Sequence, residues 1–178
     1  MPDGVWDETS RYGDLRGYKH DTNDGLYRRT LYTIWKRTAA PPAMLLFDAP
    51  NREICTVKRS RTNTPLQALT LLNEITYVEA ARKLAERMLT EGGETTESRL
   101  TFGFRWVASR QPSADELKLL TDGINSDVAS FQTDIDAAKR LVGFGESRPK
   151  DNLNPAELAA YTLAANVLLN LDEVVTRE

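Results

Sequence analysis

Apolar residues recur at three- and four-residue spacing along most of this chain, and that spacing sets the reading of its fold. Between residues 64 and 89, Leu69, Leu72, Ile75, Val78, Ala81, Ala85 and Met88 fall on one side of a helix, because positions three and four apart share a helical face. Thr64 followed by Pro65 reads as an N-cap with proline at the first helical position. A break is predicted near Asn73, and Gly92 with Gly93 closes the run. Leu100, Phe104 and Val107 predict a further helix ending near Arg110, Gln111 and Pro112. Ser113 with Glu116 three residues on forms a capping box. It opens a helix over 113–132 through Leu117, Leu120, Ile124, Val128 and Phe131, despite Gly123, which costs about 1 kcal/mol relative to alanine. A short helix over 135–142 follows. After a turn-rich stretch over 143–153, Asn154 and Pro155 open the last helix, faced by Leu158, Tyr161, Ala165, Leu168 and Leu169.

The N-terminal part is less regular. Residues 1–25 mix Gly4, Gly13, Gly17 and Gly25 with isolated Trp6, Tyr12 and Tyr18 and show no periodicity, so they read as an irregular arm. Over 26–38, Leu26, Tyr27, Leu31, Ile34 and Trp35 predict a helix whose other face is Arg28, Arg29, Lys36 and Arg37. Pro41 and Pro42 end it and start a short helix through Met44, Leu45, Leu46 and Phe47. Residues 48–63 are polar, with few packing positions. No two-residue alternation occurs anywhere. The expectation is an all-α fold of about six helices with an irregular N-terminal arm and no substantial sheet, in which residues 26–178 form a single helical domain.

Composition refines this picture at two points. The net charge of -3 signals no nucleic-acid binder, yet residues 26–64 hold eight basic side chains against two acidic ones, Asp48 and Glu53. That segment carries +6 and the remainder -9. One cysteine, Cys55, and one histidine, His20, exclude a disulfide framework, a cysteine-rich zinc site and covalent haem attachment through a C-x-x-C-H motif. No metal site and no cofactor are therefore expected in this chain. The start of the sequence has no signal-peptide pattern, and the longest apolar run, 158–171, is interrupted by Thr162, Asn166 and Asn170 and is too short for a membrane span.

Three runs carry a resemblance: LYRRTLYTIWKRT over 26–38, FDAPNREIC over 47–55 and RSRTNTPLQAL over 59–69. With Leu72-Asn73, the RQPSADE turn at 110–116 and the NPAEL run at 154–158 leading to Asp172 and Glu173, they cover nearly the whole chain. Together they resemble a planctomycete domain of unknown function, number 1553 of its series. The resemblance implies a C-terminal module of large exported proteins, periplasmic or otherwise secreted, commonly preceded by a c-type cytochrome-like domain, so that any haem belongs to a separate upstream domain. Gly4, Val5 and Trp6 look like the interior of the family domain, which makes residues 1–25 the remnant of a longer one.

Against this background each chemically suggestive residue has a plain reading. Cys55 reads as an inert thiol and His20 as a lone exposed histidine, since neither has a partner in sequence. Asp48 and Glu53 read as ion-pair partners of Arg52, Arg59 and Arg61, with a carboxylate pair for acid-base work as the alternative. Arg52, Arg59 and Arg61, beside the Thr64 helix start, also form a candidate anion-binding site, because guanidinium groups bind carboxylate, sulfate or phosphate in bidentate fashion and a helix N-terminus adds unpaired N–H donors. Trp6, Tyr27, Tyr32 and Trp35 read as core aromatics, and Gly92-Gly93 and Gly143-Phe144-Gly145 as turns. No catalytic motif is present. The expected function is a noncatalytic interaction or structural module that contacts other domains of its parent protein and self-associates through an exposed apolar patch. The alternative is part of an enzyme or binding domain acting on anionic extracellular polysaccharide.

Overall fold

The computed structural model describes residues 21–36 and 40–176, and of Asn23 the backbone alone. The arm over 1–20, with Trp6 and His20, therefore lies outside the described residues, as does Arg37. Among the described residues the fold is helical throughout, with no strand. Eight α-helices follow in order: α1 Pro42–Leu46, α2 Pro65–Asn73, α3 Ile75–Glu91, α4 Thr96–Ala108, α5 Ala114–Thr133, α6 Ile135–Val142, α7 Pro155–Leu169 and α8 Asp172–Val175. The chain divides into two compact units between Gln67 and Ala68.

In the first unit the helix expected over 26–38 does not form. Two 3-10 turns, Asn23–Tyr27 and Thr30–Tyr32, stand there instead. The helical spacing of Tyr27, Leu31 and Tyr32 is real, but all three side chains are exposed, with Leu31 76% accessible. A short helix in water is marginal until its apolar face is buried, and here Tyr27, Leu31 and Tyr32 stay exposed. The short helix after Pro41 forms as expected, with Pro42 at its first position.

The caps read from sequence hold in the second unit. α2 ends at Asn73 and α3 begins at Ile75, separated by Glu74, whose carboxylate accepts from the Thr76 N–H at 2.9 Å. Ser113 Oγ accepts from the Glu116 N–H while the Glu116 carboxylate accepts from the Ser113 N–H at 2.7 Å, so the capping box is complete. Asn154 caps α7 through Oδ1, which accepts from the N–H groups of Ala156 and Glu157. α8 is a single added turn that no pattern announced.

The core of the second unit is built around α7. It packs against α3, α4, α5 and α6, and ten of its fifteen residues are buried, far more than one stripe, with Val167 left exposed. Leu158, Tyr161, Ala165 and Leu168 meet Ala81, Ala85 and Met88 of α3, Leu100 and Phe104 of α4, Ile124 of α5, and Ala138 and Val142 of α6 in one cluster. Of the buried polar groups on α7, Thr162 Oγ1 donates to the Leu158 carbonyl one turn back and Asn166 Nδ2 to the Leu72 carbonyl of α2. α3 and α4 cross closely at Gly103, where a Cβ would stand 2.7 Å from Met88 Sδ, so any larger residue requires the buried Met88 side chain to shift.

Candidate functional site

The loop between α1 and α2 brings several of the candidate anion-binding residues into one hydrogen-bonded structure. Asp48 adopts φ 57, and its Oδ2 accepts from both the N–H and the hydroxyl of Thr62, each at 2.8 Å. Arg59 reaches back to the end of α1, donating from Nη2 to the Phe47 carbonyl at 2.7 Å and from Nε to the Asp48 carbonyl at 3.1 Å. A cation is well placed there, because the last carbonyls of a helix are unpaired and carry partial negative charge. Thr64 caps α2: its Oγ1 accepts from the Gln67 N–H, and Gln67 Oε1 accepts from the Thr64 N–H at 3.0 Å. Gln67 is buried, and its amide nitrogen also donates to the Leu46 carbonyl and to Thr62 Oγ1. Sequence reasoning found the Thr64 cap but missed that Gln67 completes a second capping box.

These bonds close the base of a loop spanning 48–62, while its tip stands in solvent. Arg52, at φ 63, stacks its guanidinium 5.0 Å from the Trp35 ring centroid. Glu53 takes an Asx-type turn in which its N–H donates to Asn51 Oδ1. Arg61 is exposed on the same loop and Cys55 is an exposed thiol. The geometry thus gives Arg59 a carbonyl-capping role and Asp48 a loop-closing role. Arg52 lies over an aromatic ring.

The strongest polar cluster lies elsewhere, in the second unit, and sequence reasoning did not find it. Arg82 is fully buried on α3. It donates to Glu86 Oε1 at 2.8 Å, to the Ser147 carbonyl at 2.6 Å and to Ser147 Oγ at 2.9 Å, and lies 3.6 Å from Glu79 Oε1. Glu79 accepts in turn from the N–H groups of Glu146 and Ser147 and from the Ser147 hydroxyl. Lys83 adds a second cation to Glu86 at 3.0 Å. Gly145 is required by this arrangement twice over: its φ is +91, and a Cβ would stand 2.2 Å from Glu79 Oε2. Its hydrogen bonds pin the 143–153 connection against α3. The Ser147 hydroxyl, which donates to the Glu79 carboxylate and accepts from Arg82, is held inside this network.

A third cluster is exposed. Arg110 bridges Glu116 and Glu173, each at 2.7 Å, and stands over the Phe104 ring at 4.6 Å, tying the α4–α5 turn to α8. The hydrogen bonds from Arg110, then the capping bonds with Ser113, hold the Glu116 carboxyl down at about 2. Its two carboxylate partners push the Arg110 guanidinium further up. Among the described residues no three His, Cys, Asp or Glu side chains converge as a metal-binding group, and no helix is long and apolar enough to cross a membrane.

The class these features define is an all-helical module whose buried polar groups serve its own fold. The family described as "Protein of unknown function (DUF1553)" matches residues 5–124, about two thirds of the chain, and the chain belongs to that family. No curated protein and no solved structure matches it.

Proposed function

We propose that this chain is a noncatalytic helical interaction module of a larger exported protein that also carries a c-type cytochrome domain, and that it works by holding other domains of that protein. The observation that supports this reading is the stripe formed by Leu69, Leu72 and the first residue of α3, Ile75. Their side chains are 57%, 41% and 55% exposed. They continue the face that Val78, Ala81, Ala85 and Met88 bury further along, so the core-forming pattern of the sequence runs outward beyond the core it makes here. α2 itself contains no charged residue, which is unusual for a helix facing water. A contiguous apolar stripe at a fixed position is the signature of a contact surface. Export and the cytochrome partner rest on the family resemblance.

The test compares amide hydrogen exchange over residues 66–75 in the isolated chain and in the full-length parent protein. The expected result is strong added protection of these amides in the parent. Leu69→Asp and Leu72→Asp should leave the isolated chain folded, since exposed positions tolerate substitution within about 0.5 kcal/mol. They should also stop the chain from associating with the remaining domains supplied separately. Equal exchange in both contexts would defeat the proposal.

A further inference from the structure

α4 carries a second outward feature, separate from the α2 stripe. Glu97, Ser98, Thr101, Phe102, Arg105 and Trp106 line an open groove of about 680 Å³. They come in adjacent pairs one turn apart, so helical geometry alone sets them along one face. Phe102 is partly buried against the core, and its ring centroid lies 6.2 Å from that of Trp106, which is 57% exposed. The guanidinium of Arg87 on α3 stacks over one face of the indole, its carbon 3.9 Å from the Trp106 ring centroid, and leaves the opposite face for a ligand. Glu91 fixes Arg87 in turn, accepting from Nε at 3.1 Å and from Nη2 at 2.9 Å in a two-pronged pair. That hydrogen-bonded pairing lowers the Glu91 carboxyl below its usual range. A large aromatic plane is thus oriented before any ligand arrives, which removes much of the ordering cost of binding to it.

We infer that the α4 groove is a binding site for a neutral saccharide, with the C–H face of a pyranose stacked on Trp106 and its hydroxyls bonded to the polar side chains of the same face. Stacking needs a flat, rigid, half-exposed ring, and Trp106 is one. Hydroxyl recognition needs both donors and acceptors: Thr101 can serve as either, Ser98, whose hydroxyl donates to the Thr95 carbonyl, still accepts, Glu97 accepts and Arg105 donates. Charge selects the neutral class. Glu97 and Arg105 are opposite in sign and Arg87 is neutralised by Glu91, so the lining presents no net charge to attract an anion or a cation. The groove is open, which suits an internal stretch of a sugar chain better than a buried single ring.

The test is isothermal titration of the full chain with neutral cello-, xylo- and manno-oligosaccharides and with oligogalacturonate as the charged counterpart. At least one neutral oligosaccharide should bind saturably, in the millimolar range or tighter. Trp106→Ala should weaken it by about tenfold or more. Thr101→Arg, which fills the groove and leaves the aromatic ring in place, should abolish it at an unchanged melting temperature. If Trp106→Ala alters the fold, Thr101→Arg decides. No binding of any neutral oligosaccharide, preference for oligogalacturonate, or binding that survives Thr101→Arg would each overturn the inference.

Discussion

Replacing Arg82 by alanine removes the one cation that stands between Glu79 and Glu86 in the interior of the second unit. Arg82 is 0% exposed, Glu79 6% and Glu86 2%, so water does not reach in to compensate. Three hydrogen bonds from the guanidinium are lost, two of them to Ser147, and Glu79 is left beside Glu86 with only Lys83 as a remaining cation at Glu86. Removing one partner of a buried ion pair costs about 3–5 kcal/mol, mostly through the stranded charge. For a unit of this size that corresponds to a melting temperature lower by roughly 10–20 °C. Volume provides the control. Arg82→Met keeps most of the side-chain bulk and discards the charge, so if stranded carboxylates dominate it should be nearly as destabilised as Arg82→Ala. If the loss is a cavity, methionine should recover most of it. Urea unfolding followed by far-ultraviolet circular dichroism gives both numbers. A methionine variant within about 1 kcal/mol of wild type would refute the argument from stranded charge.

The same network predicts that Gly145→Ala destabilises by about 2–4 kcal/mol in the same urea assay, because φ +91 is strained for any side chain and its Cβ would collide with the Glu79 carboxylate. Gly123→Ala should do the reverse: the position is inside α5, a Cβ there meets nothing within 4 Å, and stability should rise by up to about 1 kcal/mol. The Arg110 clasp sets an acid limb. The Glu116 carboxyl is held at about 2 when folded against 4.5 in its ordinary state, so its contribution is fully present above pH 4.5 and is lost as pH falls through 2. Glu116→Gln should flatten that limb of a stability-against-pH curve, and an unchanged limb would show that other carboxylates set it.

Local signals in this sequence were reliable wherever one residue decides one backbone bond. Ser113 with Glu116 states which N–H is satisfied by which side chain, Asn154 with Pro155 marks a helix start and a break was read near Asn73, and each occurs as read. The failures share another cause. Glu79, Arg82 and Glu86 stand at i, i+3 and i+7, the spacing of a solvated charged face, and nothing in α3 says that the 143–153 connection returns over it. The count of cations over 26–64 was correct, but a count carries no direction: Arg59 turns inward to two carbonyls and Arg52 lies on Trp35. Within 26–36 the helical period was present, but Tyr27, Leu31 and Tyr32 stay exposed and two 3-10 turns form in its place.

α7 shows why the division between fold and recognition runs where it does. Read as one apolar face, its sequence accounted for Leu158, Tyr161, Ala165 and Leu168, but four further alanines, Ala156, Ala159, Ala160 and Ala164, are buried as well and let α3, α4, α5 and α6 approach closely. A helix so enclosed leaves a partner little beyond Val167, and the elements around it turn their inner faces to it. Among the described residues of the second unit, large apolar side chains stay outward at Leu69, Leu72 and Ile75 before the buried part of α3, at Trp106 on α4, and singly at Leu119, Ile135, Phe144 and Val167. Because the core closes without these residues, substituting them leaves unfolding free energies nearly unchanged. The contact surface proposed at Leu69, Leu72 and Ile75 therefore predicts that these substitutions change association with the parent protein's other domains while leaving the fold's stability in place.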